Sequence, residues 1–387
     1  MDARQFTKNA RGRIAEAPDG YPAFVPEPAP RELDLSDSSL AALDEASNRL
    51  GVLQGIGKQL RNPHLLISPY MRREAVLSSR IEGTQTTMSD VYAADLDQQE
   101  LILATDVREV QNYRAAHRLG LRSKLPLSLR LIRNLHKRLM KGVRGHDRHP
   151  GEFRIYQNFI GAPTGAEATY VPPPVPEMRQ LLDDLERFLH EEDLRPLVQA
   201  AIIHYQFEAI HPFGDGNGRV GRLLVPLFLR DRGLLPQPLL YLSAYFERNR
   251  SDYYEGLLRV STHGDWDNWI RYFLEGVSTQ AQEAADLADR LLGLHNRYRE
   301  KLQAKHVTAN VLALIDALFE NPLIYTSRAE EVLDVSAPTA RATIRTLEDH
   351  GILREITNRS WRKIYRADEI YTLLRANSPP RRTARTS

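Results

Sequence analysis

The chain holds 387 residues with a mass of 44.2 kDa, more than the roughly 100–200 residues of a single domain, so two or three domains are expected. Its 42% hydrophobic and 26% charged residues fall in the ordinary globular range, and no apolar run approaches the ~18 residues that a membrane span needs. Cysteine is absent, which excludes disulfides, thiol nucleophiles, iron–sulfur clusters and thiolate zinc sites. Chemistry must then come from histidine, carboxylates, hydroxyls or a bound metal. The first thirteen residues lack the apolar core of a secretory leader, so a cytoplasmic protein is expected. With 52 Lys plus Arg against 50 Asp plus Glu, the net of +2 says little until charge is read by segment.

Five prolines between Pro18 and Pro30 predict an extended, polyproline-like arm lying on the body. From about residue 33 to 81, apolar residues recur at three and four, as at Leu40, Leu43, Ala46 and Leu50, which predicts amphipathic helices broken near Gly51 and Pro63 and stopped at Gly83. Helical periodicity resumes over 95–119, 127–140, 175–190, 196–210, 217–232 and 251–304. Between these, residues 151–174 place Phe153, Ile155, Phe159, Ile160, Tyr170 and Val171 around a Gly/Pro-rich turn, the pattern of a β-hairpin. No strand–helix–strand alternation appears, so the body is expected to be all-α.

After Lys305 the units shorten. One helix is expected over 307–320, a second from Ser327 with Glu330 completing a capping box, and a third from Ser336 with Pro338 in its first turn, stopping at Gly351. Two short apolar stretches follow, around Ile352–Ile356 and Trp361–Tyr365, separated by a polar turn. This order resembles a winged helix-turn-helix module over 305–375, and the tail 376–387 is expected to be disordered.

The densest chemistry lies at His211-Pro212-Phe213-Gly214-Asp215-Gly216-Asn217-Gly218-Arg219-Val220-Gly221-Arg222, between two helical patterns. Glycines let a backbone approach a phosphate, and a helix starting at Asn217 presents unpaired N–H groups and its positive dipole end. Arg219 and Arg222, three apart, face the same charge. Asp215 suits a hard cation such as Mg2+ on the phosphates, and His211 suits a base near neutral pH. Three rival motifs fail. Gly216, Gly218 and Gly221 spell a dinucleotide fingerprint, but a helix precedes them instead of a strand; Arg219 stands where a phosphate-binding loop of the Walker type needs Lys; and a calcium loop begun at Asp215 would put Val220 at its required glycine. An ordinary turn explains neither the histidine nor the paired arginines.

The segment His211 to Arg222 is similar to the signature of the Fic family, HxFx(D/E)GNGRxxR, at every fixed position. Glu109 to Tyr113, Ile132 to His136, Tyr170 to Pro173 and the pair Tyr253 and Tyr254 also resemble Fic segments, over roughly residues 20–290. The resemblance implies an N-terminal region over 1–100, a Fic catalytic domain over 101–295, and transfer of AMP from ATP to a protein Tyr, Thr or Ser hydroxyl. By that resemblance His211 deprotonates the hydroxyl, Asp215 holds Mg2+, Gly216, Asn217 and Gly218 cradle the phosphates, and Arg219 and Arg222 bind them. The hairpin would be a flap clamping the target as an added strand, with Thr169 and Tyr170 near the nucleotide and Tyr254 beside the adenine. Phe213 reads as a core anchor.

Ser78-Ser79-Arg80-Ile81-Glu82-Gly83 resembles the family's inhibitory motif, (S/T)xxxE(G/N). Ser78 and Glu82 share a helix face, and Glu82 at a helix C-terminus asks for a cation; the resemblance implies that this is Arg222. Self-modification, a homodimer and removal of AMP at the same site are further implications of the family. From Glu300 onward 14 basic residues face 11 acidic ones, leaving −1 for the rest, a balanced body with a mildly basic end. Such a module contacts DNA or docks protein. The rival function is a nucleotide-sensing transcription regulator.

Overall fold

A computed structural model describes residues 1–59, 64–96, 105–145, 147–162, 164–357 and 363–376. In chain order the described elements are β1 (Gly12–Glu16), β2 (Pro22–Pro26), α1 (Asp37–Gln59), α2 (His64–Ile81), α3 (Met88–Leu96), α4 (Thr105–Arg122), α5 (Leu129–Leu139), α6 (Val175–Phe188), α7 (Pro196–Ile210), α8 (Asn217–Asp231), α9 (Ser243–Arg248), α10 (Arg250–His263) and α11 (Trp266–Gln303). They continue with α12 (Ala309–Glu320), β3 (Leu323–Ile324), α13 (Thr326–Leu333), α14 (Ala337–Asp349), β4 (Arg354–Glu355), β5 (Tyr365–Arg366) and α15 (Asp368–Ala376). The body is helical, as the periodicity predicts.

α7 and α8 lie at the centre, where 13 of 15 residues of α7 and 12 of 15 of α8 are buried, polar ones included. α1 packs along α11, and α2 packs on α4, α8 and α9. Within α2, the buried Glu74 accepts hydrogen bonds from the Tyr113 hydroxyl of α4 (2.8 Å) and the Ser243 hydroxyl of α9 (2.5 Å). These bonds fix α2 against the helices around the central pair.

Several expectations need correction. The arm is not polyproline: Gly12–Glu16 pairs antiparallel with Pro22–Pro26, and the backbone N–H of Phe24 donates to Val171 O, 2.9 Å. Prolines at both ends of β2 remove donors only at its margins, where a strand tolerates them. α1 runs through Gly51 unbroken, since packing on α11 outweighs the ~1 kcal/mol helix penalty of a glycine. Pro63 lies outside the described residues. The 251–304 helix is two, divided where Gly264 takes a left-handed φ of 68°. The 151–174 hairpin shrinks to a single antiparallel bridge, Ile160 with Tyr170, because its arms are spent on other partners.

At the C-terminal end β3, β5 and β4 form a three-stranded antiparallel sheet in that order behind α12, α13 and α14, with α15 following as an unforeseen helix. α13 starts at Thr326 without a side-chain cap, so the Ser327–Glu330 box does not form. The cations of the hairpin are answered at home: Arg354 and Arg366 pair with Asp368 at 2.7 and 2.5 Å, and Lys363 with Glu355 at 2.8 Å. Arg359, Trp361, Arg362 and the tail beyond 376 lie outside the described residues. These elements rest on α2, α3 and α11, with the Ser89 and Tyr371 hydroxyls 2.7 Å apart. Among the described residues no helix is long and apolar enough to cross a membrane.

Phe24 is fully buried between Phe6 and Tyr170, with ring centroids 4.9 and 6.2 Å away. Phe24→Ala should therefore cost about 3 kcal/mol in thermal or denaturant unfolding. Two core histidines set a pH dependence. Burial holds His117 and His204 at about 3, below the ordinary 6.5, so the unfolded chain takes up their protons first. Their contribution to stability is full above about pH 6.5 and falls as pH drops from there toward 3, by about 1.4 kcal/mol per unit for each group; buried His136 and His211, held at about 4, add to the loss, and Glu208, raised to about 8, offsets one group's share. Denaturant midpoints measured from pH 7.5 to 5 check this, and a flat profile refutes it.

Candidate active site

The motif forms the connection between the two most buried helices. α7 ends at Ile210, and His211 caps it in the left-handed region, φ 49° and ψ 59°, its N–H donating to Phe207 O at 3.0 Å. A non-glycine residue there carries strain, and the 151–174 segment holds the conformation in place. Arg154, buried, donates to His211 O at 3.0 Å and to Pro173 O at 2.6 Å, and its own N–H donates to Pro212 O at 2.9 Å. Asn158 donates to Phe213 O at 3.1 Å. The loop then turns again at Gly216, φ 78°, and enters α8.

The tautomer of His211 follows from its partner. Nδ1 lies 3.2 Å from Glu208 O, and a carbonyl only accepts, so Nδ1 carries the hydrogen and Nε2 keeps its lone pair. Burial pushes the imidazole down to about 4. The ring is thus a neutral acceptor throughout the physiological range.

His136 supports the loop from behind. Its Nδ1 accepts from the Gly151 N–H at 2.8 Å, so Nε2 carries the hydrogen and donates to Asp215 O at 2.9 Å. Its ring stacks on Phe213 at 3.8 Å and 6°, and burial lowers it to about 4. Phe213 is fully buried, the anchor that was expected. Asn217 does more than line a cradle: its amide accepts from Phe213 N–H and donates to Phe213 O, both at 2.8 Å. Its side chain is committed to closing the loop, which leaves its main chain for any anion.

The two arginines take different partners. Arg219, with 2% of its side chain exposed, pairs with buried Glu109 at 3.0 Å and lies 3.5 Å from Asp215. Burial raises the Glu109 carboxyl even with Arg219 beside it. Arg222, also 2% exposed, turns wholly to α2: Nε donates to Ser78 Oγ at 2.9 Å, and Nη2 donates to Ser78 O at 3.0 Å and to Glu82 Oε1 at 2.6 Å. Burial works against a charged Glu82, but the Arg222 guanidinium holds its carboxyl below the usual range. Glu82 follows the last residue of α2, and Gly83 ends the segment at φ 96°. Glu82 also sits against Gly218, where any added Cβ would strike its carboxylate. Glu208 lies nearby with Oε1 buried and unpartnered among the described residues, and burial raises it to about 8.

Of the other expected residues, Tyr254 is 44% exposed under the guanidinium of Arg250, and its electrostatic neighbours are Glu82 and Arg222. Tyr253 is core, its hydroxyl 2.9 Å from His204 Nε2. Thr169 is exposed, facing Gly161. Tyr170 does not turn its side chain to the loop: the ring is buried against Phe24 and the hydroxyl donates to Ala209 O at 3.1 Å. Sequence reasoning missed Arg154, Glu208 and the roles of Glu109 and His136. The last two stand at the ends of segments that already resembled the family, Glu109 to Tyr113 and Ile132 to His136.

Residues 40–122 match the Fic/DOC family N-terminal description and residues 126–229 the Fic/DOC family. The protein adenylyltransferase Fic of Drosophila melanogaster is 28% identical over 260 residues, covering 66% of this chain and 48% of that protein. The Drosophila virilis protein of the same description is 28% identical over 263 residues, covering 65% and 49%. The chain thus spans about half the length of these curated relatives. Among solved structures, a Fic family protein from Desulfovibrio desulfuricans G20 superposes with a TM-score of 0.57 at 23% identity, covering 88% of this chain and 98% of that one. Fic-1 from C. elegans gives 0.51 at 23%, covering 67% and 74%, and at these identities the likeness is one of fold. Both family descriptions match within residues 40–229, and the loop from His211 to Arg222, intact between α7 and α8, lies inside the second match, so the chain is similar to Fic/DOC family proteins across this part.

Proposed function

We propose that the chain transfers AMP from ATP to a Tyr, Thr or Ser hydroxyl of a target protein or of itself, with release of pyrophosphate, and that Glu82 restrains the reaction by holding Arg222. The observation that carries the reading is a neutral histidine of fixed tautomer, His211, preceding a glycine-flanked helix N-terminus that bears two buried arginines. His211 Nε2 accepts the hydroxyl proton as the oxygen attacks the α-phosphorus and the bond to pyrophosphate breaks. The N–H groups at the start of α8 receive the phosphate oxygens, and Arg219, with Arg222 once released, offsets charge that moves onto the leaving pyrophosphate. The curated Drosophila relatives described as protein adenylyltransferases support the same class of reaction.

The residues also fit Mg2+. Asp215 has 40% of its side chain exposed, and one carboxylate suits an ion that arrives mostly on phosphates and water. No group of three or more His, Asp or Glu among the described residues makes an all-protein cage. Bound there, Mg2+ would neutralise phosphate charge. The 151–174 segment, a flap in this reading, fixes His211 through Arg154 and leaves the edge around Ile155, 72% exposed, for a target chain. Residues 305–375 are taken as a winged helix-turn-helix module. The exposed Arg341 and Arg345 of α14 favour a second reading in which that module contacts DNA and the body senses nucleotide.

While Glu82 pairs with Arg222, the guanidinium points to α2 and is withheld from the γ-phosphate. Glu82→Gly is expected to raise incorporation from labelled ATP about tenfold or more, and His211→Ala to abolish it; equal incorporation by the Glu82 variant and the parent refutes the restraint. The same substitution leaves Arg222 buried without a carboxylate. Glu82→Gly should therefore unfold at a lower temperature than the parent without nucleotide, and gain more from added ATP, because a phosphate then answers the charge.

A further inference from the structure

The balanced charge of the body conceals a separation. Residues 105–149 contain twelve Lys and Arg against three acidic residues, a net of +9, so the remaining 342 residues sum to −7. Of the three acidic residues, Glu109 is buried on Arg219 and adds nothing to the surface. Of the twelve cations, only Arg114 is turned inward, to Asp95 at 2.6 Å. Seven of the others lie on two neighbouring helices, α4 and α5, and Lys124, Lys141, Arg144 and Arg148 lie in the segments that flank α5. Arg118 and Arg122 stand one turn apart on α4, and Lys137 with Lys141 one turn apart at the end of α5, all four exposed. Arg122, Lys137, Arg138 and Lys141 line one groove between α4 and α5, with Ser123 and Asn134 among its polar walls. None of these four cations has an ion-pair partner among the described residues. Arg138 donates to the neutral Asn112 amide at 2.8 Å.

The negative ends of the α4 and α5 dipoles favour a cation in each last turn, but they do not call for a cluster of four. Like charges one helical turn apart repel and weaken a helix, and a face made only for solubility interleaves both signs. The strip leads somewhere specific. From Lys141 it continues through Arg144, 3.7 Å from the Glu109 that holds Arg219, to Gly145 against Asp215 and Arg148 against Gly214 of the catalytic loop. A molecule lying in the α4–α5 groove therefore reaches the mouth of the candidate active site.

We propose that the α4–α5 face docks an acidic segment of the target protein and so selects which hydroxyl is presented to His211. The protein nature of the partner rests on the AMP-transfer reading; the binding of an acidic segment does not. A groove with a short run of cations suits a few consecutive carboxylates. A long duplex would extend beyond it onto the rest of the chain, whose formal charge sums to −7. Steering by such a field raises encounter rates and sets partner choice more than it adds contact affinity, and salt screens it.

The test uses the full chain carrying His211→Ala and a fluorescent peptide rich in glutamate with one central tyrosine. A peptide of the same length with lysine for glutamate and a duplex oligonucleotide are the comparisons. Anisotropy should show binding of the acidic peptide, weakened about tenfold both by Arg122→Ser/Lys137→Ser/Lys141→Ser and by raising salt from about 50 to about 300 mM. Arg122→Lys/Lys137→Arg/Lys141→Arg, which keeps the charge, should bind as the parent does and separates lost charge from lost folding. In the Glu82→Gly chain, the serine variant should raise KM for the acidic peptide and leave self-modification unchanged. Equal binding by the serine variant and the parent overturns the proposal. So does tighter binding of the duplex, lost in the serine variant, which assigns the groove to nucleic acid. If the acidic peptide binds as expected and no chain transfers AMP, the docking surface stands and the AMP-transfer reading falls.

Discussion

A guanidinium with 2% of its surface exposed has to be answered by something close, and the answer for Arg222 is the last turn of α2. Leaving a buried ion without its partner costs several kcal/mol, about 3–5 where both are fully enclosed, and less here because Glu82 is 33% exposed. Two carboxyl groups face this charge, and their environments divide the task. Burial leaves Glu208 protonated at neutral pH, with an unpartnered oxygen, whereas Glu82 stays ionised against the arginine. The charge on Arg222 is thus answered by one carboxylate, which in the proposed reaction a phosphate would replace.

The loop that this arginine serves is rigid by construction. Its two left-handed positions, His211 and Gly216, bracket four residues, and each support acts on the backbone. Asn217 binds both polar groups of Phe213, Arg154 binds the carbonyl of His211, and His136 binds the carbonyl of Asp215. Neutral imidazoles suit these positions. His136 and His211 each need one nitrogen as donor and one as acceptor, and burial keeps both rings in that state. Protonating either would turn an acceptor into a donor facing the Gly151 N–H or, in the proposed reaction, the incoming hydroxyl.

The central helices and the loop were legible because their signals are local. A periodic stretch as long as 196–210 marks a helix, and a twelve-residue pattern with a histidine, a carboxylate and two arginines marks chemistry. The pairing of Glu82 with Arg222 was legible through the resemblance, and the geometry places the two within 2.6 Å. What stayed hidden depends on distant partners. The strand at Pro22–Pro26 exists because residues 12–16 and Val171 come to meet it; proline content alone pointed to polyproline. Arg154 and Glu109 look like ordinary surface charges until folding buries them on His211 O and Arg219. The +9 strip escaped because charge was divided at Glu300, and a sum over 299 residues averages it away.

α2 ties these parts together. Near its midpoint stands Arg72, which pairs with Asp95 at 2.8 Å and reaches the Glu320 carbonyl at the end of α12. Its middle carries Glu74, bonded to α4 and α9, and its last turn carries Ser78, followed by Glu82. A helix held at so many points does not move as a rod, so under the proposed restraint the release of Arg222 from Glu82 would be local. The structure allows that. Glu82 lies beyond the last helical residue, next to a glycine with open space around it, so a side-chain rotation or unwinding of the final turn withdraws the carboxylate. Ser78 would remain on Arg222 as a neutral partner, keeping the guanidinium in place while its charge becomes available to an anion.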